Sequence, residues 1–246
     1  MGRRTRRQRR GARPVRDAPS AGARGYTVSV SPRALTRALL IVALTLLACH
    51  AALSLYHHRV HEVPWLVRQL FDVDQENNLP TWFSGFLLLT ASALLWFRAP
   101  KRPGEAGAGS GYWYALAVGF LLLSVDEVAG IHESINSAIV MTWAIPGGIA
   151  ALVIGLAFIP FLIRLSRRTA LLFALAGAMY LAGAAGIEII GNSLVGQRLG
   201  DTLQYDLWTL AEESLEMLGI ILFLDTLLRD MRGPSAGSVQ ASLEID

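Results

Sequence analysis

The sequence has a single cysteine, Cys49, so no intrachain disulfide can form. It is also poor in charge. Asp, Glu, Lys and Arg make up 17% of its 246 residues, where a soluble domain carries about 25%. Signatures that would name a chemistry at once are missing too. There is no HExxH and no helical ExxH pair, which sets aside the zincin and ferritin-like metal patterns.

What the sequence has in abundance is apolar residues, 53% of the total, gathered into six runs. These are 38–56, 80–97, 112–131, 145–163, 170–190 and 207–228, each close to the ~20 residues a spanning helix needs. Lipid offers backbone groups no water, so runs of this length must be helical. The expected fold is all-α, a polytopic membrane protein built as a bundle of six transmembrane helices over residues 34–232. Residues 1–33 and 233–246 read as disordered tails, and 98–111 as a flexible linker. A lipobox-like Leu46-Leu47-Ala48-Cys49 is outweighed by the apolar run that continues to Tyr56. Cys49 therefore reads as an ordinary buried cysteine.

Basic residues set the sidedness. Eleven arginines occur up to Arg37, and further clusters lie at 98–102, 164–168 and 229–232. With six alternating helices all of these share one side, leaving Arg59, Arg68 and Arg198 on the other. Both termini are then cytoplasmic, in a multi-pass protein of the plasma membrane. Trp65, Trp82, Trp143 and Trp208 mark the outer interface, and Trp96 and Trp113 the inner one. The tail MGRRTRRQRRGARPVR lacks interleaved aromatics and a fold around it. It reads as a topogenic segment drawn to anionic lipid headgroups, with no nucleic-acid partner.

On this topology the remaining ionisable residues crowd into the outer half. His50, Ser54, His57 and His61 form one stripe of helix 1, spread over about 60°. Helix 3 ends in SVDEVAGIHES, carrying Asp126, Glu127, His132 and Glu133. Helix 5 supplies Glu188 and Asn192, and helix 6 supplies Asp206, Thr209, Glu213 and Glu216 on one face with Glu212 beside it. On the inner half, Asp225 has Arg229 four residues on and is expected to pair with it. Three unpaired glutamates at 212, 213 and 216 would cost about 7–10 kcal/mol in a membrane helix. Either they hold protons or a cation binds among them.

The predicted site is a divalent transition metal, Fe, Zn or Mn, between helices 1, 3, 5 and 6. Its expected ligands are His57, His61, Glu127, His132, Glu212 and Glu216. Glu133, Glu188 and Glu213 are assigned as general base or supporting carboxylates. The ligand supply exceeds one tetrahedral zinc and allows a dinuclear centre. On an unbroken helix, Asp126 and Glu133 would share a face about 10 Å apart along the axis while Glu127 and His132 point elsewhere, so the stretch joins the site only if the chain bends at Gly130.

The segment before helix 2 reads in two parts. Residues 64–71 resemble a short interfacial helix. DVDQENN, 72–78, is spaced like a calcium loop but lacks the central glycine and last glutamate of an EF-hand. It is expected to open helix 2 or to wall the main site. In helix 5, Ala174, Ala178, Ala182 and Gly186 recur at steps of four, a face expected to pack closely on a neighbour.

FDVDQENNLPTWFSGFLLL, LLLSVDEVAGIHES and LAEESLEMLGIILFL are similar to motifs of a scattered family of uncharacterised bacterial multi-pass membrane proteins. The resemblance covers most of 70–228, leaves the N-terminal tail outside, and implies a bacterial cell-membrane protein without implying a reaction. The late HxxxH pair of the alkaline ceramidase-like hydrolases has no counterpart.

Three readings follow. The first is a membrane metalloenzyme, hydrolase or oxidoreductase, acting on a lipid or exported small molecule at an outward-facing site. The second is a proton- or metal-ion-coupled transporter, which needs a route through the dry inner half. The third is a non-enzymatic ligand-binding protein or sensor.

Overall fold

The computed structural model describes residues 25–99, 109–138, 142–232 and 239–244. The arginine-rich segment 1–24, most of the 98–111 linker and 233–238 lie outside these residues. Two units are present. The small one is a two-stranded sheet of β1 (Gly25–Val30) and β2 (Val239–Glu244). Both strands fall in segments expected to be disordered tails, and the alternating Val and Thr of GYTVSV supply a physical reason.

The large unit is helical, and four of its helical stretches are long and apolar enough to cross a membrane. These are α1 (Pro32–Arg59), α3 (Leu79–Arg98), α4 (Ser110–Ala129), and the stretch Arg167–Gly196. Each begins or ends on a local signal. Asn78 caps α3 by accepting from Thr81 N–H, with Pro80 in the first turn. Gly130 stops α4 with φ +59°, its N–H returning to the Asp126 carbonyl. The third expected span therefore ends at Ala129, and α5 (Ile131–Ala138) starts in a new direction.

The other two expected spans differ from the first four. The run 145–163 is divided into α6 (Ala144–Ala157) and α7 (Ile159–Leu162), where Pro160 removes a helix donor. The last, α10 (Leu203–Asp230), has 28 residues but carries Glu212, Glu213, Glu216 and Asp225. Between these, α8 (Arg167–Leu181) passes through a π-helical turn, Ala182–Ile187, into α9 (Glu188–Gly196).

Contacts at the helix ends set the direction of each pass. At one end Thr36 of α1 donates to Asp225 of α10, and Arg98 of α3 meets Asp230 at 3.1 Å and the Trp113 ring of α4 at 4.7 Å. At the opposite end His58 of α1 meets Asp206 of α10. By these contacts α1 runs antiparallel to α10, and α3 antiparallel to α4. The expected Asp225–Arg229 pair forms at 2.6 Å.

The exterior is apolar, unlike that of a water-soluble protein, and part of the interior is polar. Ile41, Leu44, Trp82, Leu122, Val153 and Leu171 are exposed, while His50, Asp72, Asp206, Thr209 and Glu216 are buried. The most acidic long helix, α10, is the central one, packed against α1, α3, α8 and the π turn. Its lower half joins an apolar core in which Leu87, Leu88, Leu95, Met217, Ile221, Leu224 and Leu227 are fully buried.

Three local expectations are corrected. Trp113 is buried against Phe161 rather than lying at an interface. Cys49 is free but only half-buried. In α8 and the π turn, Ala174, Ala178, Ala182 and Gly186 are exposed, and the packed face is Phe173, Ala176 and Gly183. A Cβ at Gly219 of α10 would stand 2.9 Å from the Ala176 carbonyl. The close approach of α8 thus comes from a glycine on the partner helix.

Candidate metal site

The segment 72–78 is held rigidly by its own side chains. Asn78 Nδ2 donates to the carbonyls of Gln69, Asp72 and Gln75, and Thr81 Oγ1 donates to Gln75 as well. Gln69, on α2 (Trp65–Phe71), donates to the Glu76 carbonyl. Tyr205 of α10 reaches across to Asp74 at 2.7 Å. Val73 N–H donates to His50 Nδ1, so the other ring nitrogen carries the proton facing the Asp206 carbonyl at 3.4 Å. The loop thus opens α3 through Asn78 and also walls the site.

This frame brings Glu76 against the α4–α5 junction. A Cβ on residue 130 would fall on the Glu76 carboxylate, so glycine serves both the left-handed turn and the close approach. Past the turn, Glu76, His132 and Glu133 each offer a ligand atom within 4.8 Å of the others. They form a His/Glu group able to hold a metal. Glu76 Oε1 is buried without a hydrogen-bond partner, an open valence that a cation would satisfy. Burial and the neighbouring charge of Glu76 raise the Glu133 carboxyl above its ordinary range. His132, beyond the end of α4, is pushed up to about 9, chiefly by its hydrogen bond to Asp126.

The other expected residues fall into two groups. Glu127 of α4 lies within electrostatic reach of His132, Asp126 and Glu76. Glu212 is within reach of Glu188, Asp74 and His132, and Glu216 within reach of Glu127, Glu212 and Glu188. Glu213 faces Glu216, Glu127 and Glu212, so all four line the same interior. The π turn contributes here, since it sets Gly183 against the Glu212 carbonyl and the Glu216 side chain. Tyr180 of α8 lies within electrostatic reach of Glu216.

His57 and His61 stand elsewhere. His57 Nδ1 accepts from Val63 N–H and its Nε2 faces Arg68 at 3.4 Å, while His61 is exposed. His57 borders a separate ion cluster in which Arg68 lies 3.6–3.8 Å from Asp72, Asp201 and Asp206. His58 completes it, 3.1 Å from Asp206. Burial raises the Asp72 carboxyl despite the neighbouring His50 and Arg68.

Sequence reasoning assigned no role to His58 and did not place Glu76 among the ligands. His58 lies off the stripe of His50, His57 and His61. Glu76 sits in a loop, where helical periodicity carries no signal.

A family model described as a domain of unknown function (DUF8692) matches residues 36–231. The chain belongs to this family. The match runs from the first turns of α1 to the end of α10, so the family domain contains every residue of the candidate site. Membership in an uncharacterised family is what the motif resemblance implied. No curated protein and no solved structure matches the chain.

Proposed function

We propose that the protein is an integral membrane metalloprotein of six spans, with both termini in the cytoplasm and a divalent metal site opening outward. The observation that carries this is the meeting of Glu76, His132 and Glu133, their ligand atoms within 4.8 Å, above a carboxylate-lined interior. One imidazole and two carboxylates suit Fe, Mn or Zn. Three protein donors leave a position for water or a substrate oxygen, the arrangement of a catalytic rather than a structural ion. The metal would make bound water acidic enough to attack a lipid or exported small molecule. Glu127, Glu212, Glu213 and Glu216 would accept protons, or hold a second ion in a dinuclear centre. The reading of α6–α7 and α10 as the fourth and sixth spans is supported by α10 running antiparallel to α1, which an even number of crossings requires. Tight protein packing around α10 lets it carry acids that lipid would not accept.

A coupled transporter is the second reading, favoured by the succession from Glu127 through Glu213 and Glu216 to Tyr180. The fully buried apolar layer of Leu87, Met217, Ile221 and Leu224 counts against it, because among the described residues it interrupts that polar succession.

Elemental analysis of protein purified under metal-replete conditions tests the metal. About one transition-metal ion per chain is expected, lost in Glu76→Ala and His132→Ala. Wild-type protein that is folded yet metal-free would remove the metalloprotein reading.

A further inference from the structure

Asp126 occupies the last turn of α4 and makes two bonds to one residue across the Gly130 turn. Its Oδ1 accepts the backbone N–H of His132 at 2.9 Å, and its Oδ2 lies 3.1 Å from His132 Nδ1. The first bond fixes where α5 begins, and the second fixes the rotation of the imidazole. A carboxylate at Nδ1 keeps the proton on that nitrogen and leaves the lone pair on Nε2. Asp126 itself is not within the group of ligand atoms that meet at Glu76, His132 and Glu133.

We propose that Asp126 is a positioning residue of this centre: it holds His132 as the Nδ1–H tautomer and presents Nε2 to a divalent ion shared with Glu76 and Glu133. The proposal rests on the metal-site reading above. It extends that reading by assigning the ligating atom of His132 and the group that selects it. A carboxylate is required in this role because a neutral amide can turn its NH2 toward the ring. An amide therefore no longer dictates which nitrogen keeps the proton.

The test uses the full-length protein in detergent and Zn2+ alone as probe, with affinity measured by competition against a chromophoric chelator. Asp126→Asn is expected to weaken zinc binding about 10–100-fold, as loss of such an outer partner does, with helix content unchanged. Binding as tight as wild type in Asp126→Asn, while His132→Ala loses it, overturns the role of Asp126 and leaves the metal site standing. Absence of zinc binding in the wild type overturns both. A second readout needs no Asp126 variant and would not respond to a merely structural contact. Nitrogen-15 histidine spectra of zinc-loaded wild type, with the His132 signals identified by their loss in His132→Ala, should show Nδ1 protonated and Nε2 metal-bound. Metallation at Nδ1, or a His132 ring unaffected by zinc, overturns the proposal whatever the fate of the variant.

Discussion

The Asp126–His132 pair dominates the behaviour of the site at the scale of single residues. The imidazolium gains a hydrogen-bonded carboxylate on folding, and this outweighs the burial that would disfavour its charge. The folded value is therefore raised, from 6.5 to about 9. The pair's contribution to stability is complete below the unfolded value and is lost as pH rises through about 9. In metal-free protein, an NMR titration should find His132 protonated at neutral pH, and Asp126→Asn should return it toward 6.5. A wild-type midpoint at or below the ordinary histidine value would mean that the bond does not form. None of this was readable from spacing alone. Residues 126 and 132 lie on different faces of a continuous helix, and they meet only because the helix is not continuous.

The decisive features among the elements are a turn and a loop. Gly130 adopts φ +59° beneath the Glu76 carboxylate. Gly130→Ala should cost about 1–2 kcal/mol from the left-handed backbone alone, and its Cβ should also displace Glu76. Thermal unfolding and zinc affinity should fall together. A variant that unfolds earlier but keeps full zinc affinity would show that Glu76 is not held by this contact. Asn78 caps α3 and closes the 72–78 loop through three carbonyls. Asn78→Ala should lose about 1 kcal/mol for the cap, and should release Glu76 from the centre. Retention of metal in a measurably destabilised Asn78→Ala protein would separate loop order from metal binding. The bend at Gly130 was legible, since a glycine in that position is the one residue that permits it. The loop's closure was not, because it depends on which carbonyls a single Asn side chain reaches.

For the whole molecule, many large apolar side chains face outward while His50, Asp206 and Glu216 are buried, and α1 runs antiparallel to α10. Cysteine accessibility tests the membrane orientation this implies. In a Cys49→Ala background, Glu62→Cys should react with an impermeant maleimide in intact cells. Ser235→Cys should react only after permeabilisation. The reverse pattern would invert the topology, and labelling of both positions in intact cells would put the two ends on one side.

By itself the sequence determined the helical class, the apolar runs, and the gathering of ionisable residues toward one end. Periodicity and hydropathy are local properties, and a bilayer's thickness converts them directly into helix length. The family motifs were likewise legible in their residues. Only the tertiary structure decided which of those residues meet. It placed Glu76 with His132 and Glu133, and it left His57 beside the separate Arg68 cluster and His61 exposed. It also set the most acidic helix at the centre of the bundle, with its acids facing protein. The physical reason is that a ligand set is a matter of distances between segments far apart in the chain. Those distances depend on one left-handed glycine and one closed loop, and neither alters the hydrophobic pattern from which the helices are read.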